Sequence, residues 1–203
     1  MAMVTQVMLA LILIPSVVIH EVAHGVMALK LGDPTAKNQG RLTLNPIPHI
    51  DLLGSIVIPA MLIMSGTSFL IGWAKPVPIN PMYFKNPDKG MMWVALAGPA
   101  SNIGIAIIAA LILRGGISEA VLVQIPLILV IQLNLVLAIF NLFPVPPLDG
   151  SRVLMYLSPP RLQRLLMMIE PYGILVIAVL SYFGVFGPYL DYLVTPIYSV
   201  LVK

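Results

Sequence analysis

The stretch from Ala120 to Phe143, AVLVQIPLILVIQLNLVLAIFNLF, contains no Asp, Glu, Lys or Arg. About 20 mainly apolar residues are what a helix needs to cross the hydrocarbon core of a bilayer. The chain supplies further such runs at Val4–Leu29, Leu52–Trp73, Met91–Leu113 and Leu165–Phe186, and a shorter one at Pro188–Val202. Charged residues make up only 9% of the 203, against roughly 25% in an ordinary soluble domain. In lipid every backbone N–H and C=O must be satisfied within the protein, so runs of this kind must be helical. The expected fold is therefore an all-α polytopic membrane protein, one domain over residues 1–203, with about five (four to six) transmembrane helices. The first run lacks a basic leader and a small-residue cleavage pattern before His20, so it is expected to stay as a helix and not to serve as a signal peptide.

The formal net charge is only +3 and the basic residues are scattered. They read as loop charges facing lipid headgroups, not as a nucleic-acid surface. There is no cysteine, which excludes disulfides and thiolate metal sites and leaves nitrogen and oxygen as the only strong metal ligands. Prolines cluster between the apolar runs, in NPIPHI, AKPVPINP and FPVPPLDG, where a continuous helix is not possible.

Against this background the segment VVIHEVAHGVMALKLG, Val17–Gly32, is unusual. His20 and His24 are spaced i, i+4 and so project from one helical face, where two imidazoles can share a metal ion with Glu21 beside them as a base. This is the H-E-x-x-H pattern of zinc hydrolases. Ionisable groups at mid-membrane cost on the order of 2.5–3.5 kcal/mol each on insertion scales, so an idle cluster is hard to maintain there. A catalytic zinc site usually has three protein ligands and one open position. Asp149 is the expected third ligand, because it follows a long apolar run and a proline break in NLVLAIFNLFPVPPLDGSR. The rival is His49, the one remaining histidine, which lies in a proline-rich loop near Asp51.

These motifs together resemble the site-2 protease class of M50-type intramembrane zinc metalloproteases, in particular its small prokaryotic branch without a PDZ domain. HEVAHG is similar to its first motif, NLFPVPPLDGSRVL to its second, and ALAGPASN, Ala95–Asn102, to a Gly-Pro-x-x-Asn signature on an intervening helix. The resemblance implies one Zn2+ per chain held by His20, His24 and Asp149, with Glu21 as the catalytic base. It also implies that Asn141 holds the substrate or its oxyanion, that the substrate is a transmembrane protein segment, and that the enzyme resides in a prokaryotic cell membrane. Asn141 reads equally well as a polar residue closing its helix before Pro144, and Asn102 as an asparagine bonding between helices among small residues. A metal-ion transporter or an inactive membrane scaffold are the competing functions. A transporter needs several exchangeable sites along a path, whereas this chain offers one compact cluster with a built-in base.

Two structural expectations follow from the region after the first helix. Arg41, Leu42, Thr43 and Leu44 alternate polar and apolar residues, which suits a short membrane-associated β element whose edge binds extended substrate, and equally an ordinary interfacial loop. Leu52–Trp73 is long enough to cross the membrane. Counted as a full span, it would send the histidine helix and the Asp149 helix to opposite faces. Either it is re-entrant or tilted, with Pro59 as a break and Gly66 as a bend, or the loop GWAKPVPINP returns through the protein. Trp73 and Trp93 are expected at the membrane interfaces.

Overall fold

The computed structural model describes residues 2–58, 61, 64, 72–116 and 120–203. Among these the chain is helical, with α1 Ala2–Lys30, α2 Thr35–Asn38, α3 Pro87–Arg114, α4 Val121–Asn141, α5 Asp149–Leu157, α6 Pro160–Ile169, α7 Gly173–Tyr182 and α8 Phe186–Val202. Four segments are long and apolar enough to cross a membrane: Met8–Lys30, Pro87–Arg114, Val123–Asn141 and Pro160–Tyr182. The last is formed by α6 and α7 joined through a tight turn at Glu170–Tyr172, where Pro171 has no amide hydrogen to continue the α-helical ladder. This is a multi-pass membrane protein.

The central element is α3, which packs against α1, α4, α5 and α8. Its ends follow from its sequence. The Asn86 side chain accepts a hydrogen bond from Lys89 N at 3.0 Å, Pro87 opens the first turn, and Arg114 stands in the last turn, a placement that complements the helix dipole. The buried face of α3 carries Ala106, Ala109 and Ala110, set against Ile131, Leu135 and Ile139 of α4 and Val194 of α8. Small residues there let the backbones approach, which is the main source of helix association where lipid removes the hydrophobic drive. Large apolar side chains such as Leu11, Ile14, Ile108 and Leu111 point outwards, towards lipid. Tyr189 of α8 donates its hydroxyl to Ile139 O at 3.1 Å, and Phe186 packs on Phe140 and Phe143 with ring centroids 5.0 Å apart.

No strand occurs among the described residues, which corrects the expectation of a β element at Arg41–Leu44. Local hydrogen bonds have taken its place. Arg41 N still donates to Ala36 O at 2.9 Å, closing the turn after α2. Thr43 Oγ1 accepts from Asn45 N at 3.2 Å, Asn45 Oδ1 from Ile47 N at 3.1 Å, and Thr43 O from the His49 ring at 3.0 Å. Side-chain turns of this kind compete directly with a sheet ladder, and Pro46 and Pro48 prevent its extension. Alternation alone did not reveal that Thr43 and Asn45 would fold the backbone back on itself.

The region between α1 and α3 resolves the crossing problem. Residues at the start and end of Leu52–Trp73 are hydrogen-bonded to each other: Trp73 N donates to Gly54 O at 3.1 Å, Ser55 Oγ to Trp73 O at 2.9 Å, and Lys75 N to His49 O at 2.9 Å. The segment therefore returns to where it began and is not a single crossing. Of it, Leu52–Val57 forms a π-helical turn, while Pro59 and Gly66 lie outside the described residues. With one span, α3, between them, α1 and α4 run parallel. The C-terminal halves of both reach the same depth.

Asp33 ties this region together. It is fully buried and accepts from Thr35 N at 2.9 Å, from Asn80 N at 2.7 Å and from the Thr35 hydroxyl. Burial opposes its ionisation, yet the bonds from Thr35 and Asn80 outweigh this and hold its carboxyl below the usual carboxylate value. Asp33→Ala is expected to lower stability by about 1–3 kcal/mol near neutral pH, read as a fall in Tm in detergent. A lowered folded pKa contributes stability above the unfolded value of about 3.9 and loses it as pH falls through the folded value. The Tm difference should thus close on acidification below that range. The topology predicts a second result. With no native cysteine to interfere, Ile50→Cys and Lys75→Cys should react with an impermeant maleimide from one side of the membrane and Arg114→Cys from the other.

Candidate metal centre and active site

The last turns of α1 place His20, Glu21 and His24 on the wall of a cavity of about 890 Å3, which is also lined by Asn102 of α3, Asn141 of α4, Asp149 at the start of α5, and Trp73 and Val77 of the inter-helix loop. The i, i+4 spacing brings His20 Nε2 and His24 Nε2 to 3.0 Å from one another, with the rings edge-to-face. Asp149 closes the group from the opposite wall, with Oδ2 3.2 Å from His20 Nε2 and Oδ1 3.4 Å from His24 Nε2. The potential ligand atoms of His20, Glu21 and His24 all lie within 4.8 Å of one another.

Each part of this geometry has a local cause. After α4 the chain turns through Pro144, Pro146 and Pro147, with Leu148 N donating to Val145 O at 3.0 Å and Ser151 N to Leu148 O at 3.0 Å. This turn delivers Asp149 as the first residue of α5. A side chain at Gly150 would strike the Leu142 carbonyl, so the residue after Asp149 must be glycine for the turn to close. Opposite the histidines, a Cβ at Gly98 would stand 2.5 Å from His24 Nε2 and 2.6 Å from His20 Cε1. The bare backbone of α3 is what leaves room for two imidazoles. His24 Nδ1 donates to Val94 O at 2.7 Å, and His20 Nδ1 bonds Asn102 Oδ1 at 2.7 Å. Glu21 Oε2 accepts from Val77 N at 2.9 Å, so this carboxylate is steadied by the loop and not by the helix that carries it.

The donor set fits a metal ion. With Nδ1 of each ring committed to an oxygen acceptor, a neutral imidazole presents the Nε2 lone pair. Two such lone pairs then face each other at 3.0 Å, beside a carboxylate oxygen, Asp149 Oδ2, that is buried and accepts no hydrogen bond among the described residues. An apolar bundle tolerates this only if positive charge, a bound cation or a proton on one ring, neutralises it. Two nitrogens and a carboxylate are a zinc-type set, and two ligands at Zn–N distances of about 2.0–2.1 Å in a tetrahedron stand roughly 3.3 Å apart.

The other residues singled out in the sequence are elsewhere. His49 is buried and donates to Thr43 O, away from the cluster. Arg41–Leu44 does not line the cavity. It packs behind it, with Leu42 against Gly25 and Arg41 Nη2 donating to Lys75 O at 2.8 Å. Asn141 lines the cavity, with Nδ2 donating to Leu137 O of its own helix at 2.9 Å. Sequence reasoning missed Ser16 and Asn134, both buried in spanning helices and bonded to Asn102. Their polarity inside apolar runs was the available signal.

Comparison with known proteins agrees with this chemistry. The model of Peptidase family M50 matches residues 116–181. The chain is 42% identical over 180 residues to the Bacillus subtilis (strain 168) protein named "Putative zinc metalloprotease YwhC", an alignment spanning 85% of this chain and 78% of that one. It is 30% identical over 166 residues to "Putative zinc metalloprotease Rip2" of Mycolicibacterium smegmatis, covering 81% of this chain but 62% of the longer relative. No solved structure matches the chain. The extent of the match to the Bacillus protein, together with the family model, bears out the resemblance carried by HEVAHG and NLFPVPPLDGSRVL: the chain belongs to Peptidase family M50.

Proposed function

We propose that the chain is a zinc metalloendopeptidase of site-2 protease type that hydrolyses peptide bonds within or beside the transmembrane segments of other membrane proteins, in a prokaryotic cell membrane. The observation that carries this reading is the convergence of His20, His24 and Asp149 beside Glu21 in a cavity walled by membrane-spanning helices. His20, His24 and Asp149 would hold the metal. Zinc bound there supplies a Lewis acid that polarises the scissile carbonyl and makes water a nucleophile near neutral pH.

The protein's own groups do the rest. Glu21 accepts the proton of the attacking water and passes it to the leaving nitrogen, a transfer that needs its carboxylate beside the reacting atoms; the Val77 N–H holds that carboxylate at the cavity wall. Asn141, also on that wall, supplies an amide donor to the developing oxyanion after its side chain turns from Leu137 O, the role an oxyanion-hole amide plays in acyl transfer. The apolar lining accommodates a peptide only when it is extended, because its helical backbone bonds must open before a carbonyl can reach the site.

Glu21→Gln should retain a stoichiometric amount of zinc while cleavage of a single-pass model substrate falls by about 10²–10⁴-fold, the range for loss of a general base. Asp149→Ala should lose the zinc and His49→Ala should keep it. Zinc content by elemental analysis and cleavage on gels separate these outcomes. A transporter or scaffold would work nearly normally with Glu21→Gln. The helix-opening requirement makes its own prediction. A substrate span carrying Asn-Gly should be cut faster than a uniform poly-Leu span, and equal rates in the same vesicles would refute it.

A further inference from the structure

Behind the metal-facing atoms lies a polar chain that crosses three spanning helices and is buried throughout: His20 and Ser16 on α1, Asn102 on α3 and Asn134 on α4. Asn102 and Asn134 have no exposed surface at all. Asn134 Nδ2 donates to Val130 O at 2.9 Å and to Ser16 Oγ at 3.0 Å. Asn102 Nδ2 donates to Asn134 Oδ1 at 2.8 Å and to Ser16 O at 3.3 Å. Asn102 Oδ1 meets His20 Nδ1 at 2.7 Å.

The direction of this chain is set by two carbonyls, Val130 O at its far end and, at the longer distance of 3.3 Å, Ser16 O beside Asn102. Val130 O is a carbonyl and only accepts, so the Asn134 atom facing it must be the NH2 group. That leaves Asn134 Oδ1 turned towards Asn102, where it too only accepts. Asn102 must then present Nδ2 to Asn134 and Oδ1 to His20. Facing an amide oxygen, His20 Nδ1 must carry the ring proton, and the lone pair is left on Nε2. Reversing either amide would place two like groups against each other inside an apolar bundle, where a buried polar group left unsatisfied bears its full desolvation cost. His24 needs no such relay, because a backbone carbonyl, Val94 O, faces its Nδ1 directly.

We propose that Asn134, through Asn102, is a positioning residue that fixes the tautomer of His20 and so keeps its Nε2 available as a metal ligand. The inference deepens the zinc-site reading above and rests on it for its consequence, though not for its tautomer. Asn134 does not line the cavity, and its effect is carried entirely by the orientation of one amide. Residues that orient a ligating histidine from behind typically change metal affinity by about 10–100-fold when removed.

Three histidines in the chain make the test tractable by 15N NMR of histidine-labelled protein in lipid nanodiscs, without metal, with His49→Gln assigning one set of signals. The wild type should show His20 protonated on Nδ1. Asn134→Leu removes the nearer of the two acceptors of Asn102 Nδ2 and leaves only Ser16 O at 3.3 Å, so a population with the proton on Nε2 should appear, and the zinc Kd measured against a chelator should rise about 10–100-fold. Ile131→Ala, a buried cavity mutation on the same helix, controls for lost packing. It should lower Tm and leave the tautomer unchanged. A carboxylate at position 102 accepts whichever way it turns, so Asn102→Asp combined with Asn134→Leu should return zinc affinity towards that of the wild type. An Asn134→Leu protein with the wild-type tautomer and zinc Kd overturns the relay, as does a tautomer shift equally present in Ile131→Ala. Wild-type protein that binds no zinc, but whose His20 tautomer still follows Asn134, would overturn the zinc-site reading and leave the relay standing.

Discussion

Two imidazole nitrogens and a carboxylate are pressed together inside a bundle whose walls are mostly apolar. His20 Nε2 and His24 Nε2 stand 3.0 Å apart with Asp149 against both. All three atoms are electron-rich, so the arrangement is stable only around positive charge. Much of the fold serves to keep it so. Helix α3 runs close enough to α1 that only glycine fits at position 98. The proline turn after α4 brings Asp149 back to the depth of the histidines. The second ring nitrogens are tied off by oxygen acceptors of α3. A soluble protein could leave such a cluster to water. Here the surroundings are lipid-facing helices, and the compensation has to be built in.

That necessity accounts for what could be read from the sequence. His20, Glu21 and His24 stood out because local spacing sets their geometry and because charge is scarce around them. Asp149 was legible for a related reason: a carboxylate after a proline break, at the end of an apolar run, is costly to place at that depth unless it meets a cation. Other features depend on pairings between distant positions, which spacing does not encode. Leu52–Trp73 has the length and hydropathy of a span, and only the bonds between Gly54 and Trp73 show that its ends meet. Arg41–Leu44 has the alternation of a strand, but Thr43, Asn45 and His49 consume its backbone groups in turns. Asn102 was read correctly as an asparagine bonding between helices, yet its partners, Asn134 and His20, lie 32 and 82 positions away.

The small-residue face of α3 and the polar relay obey one logic at two scales. Alanines and glycine let the helices approach, and the approach shortens the distance over which asparagine side chains must reach. Once Ser16, Asn102 and Asn134 are within hydrogen-bond range, the amide atoms of both asparagines are occupied by one another, by Ser16, by His20 and by Val130 O. A buried network is tolerable only when complete, and completeness also removes its freedom to rotate. Packing precision thus becomes chemical precision at the imidazole, with no charged group spent on the task.

The attachment of Glu21 to Val77 has a consequence of a different kind. The metal-facing atoms are braced by the helical bundle, whereas the carboxylate beside them is braced by a loop whose own anchors are Lys75 N on His49 O and Asn80 N on Asp33. Damage to the two supports would therefore leave separate signatures. Loosening the bundle would part His20, His24 and Asp149, and loosening the loop would leave that donor set whole beside a carboxylate that has lost its aim. Two separate supports mean that the hold on the donor set and the aim of the carboxylate can each change without the other.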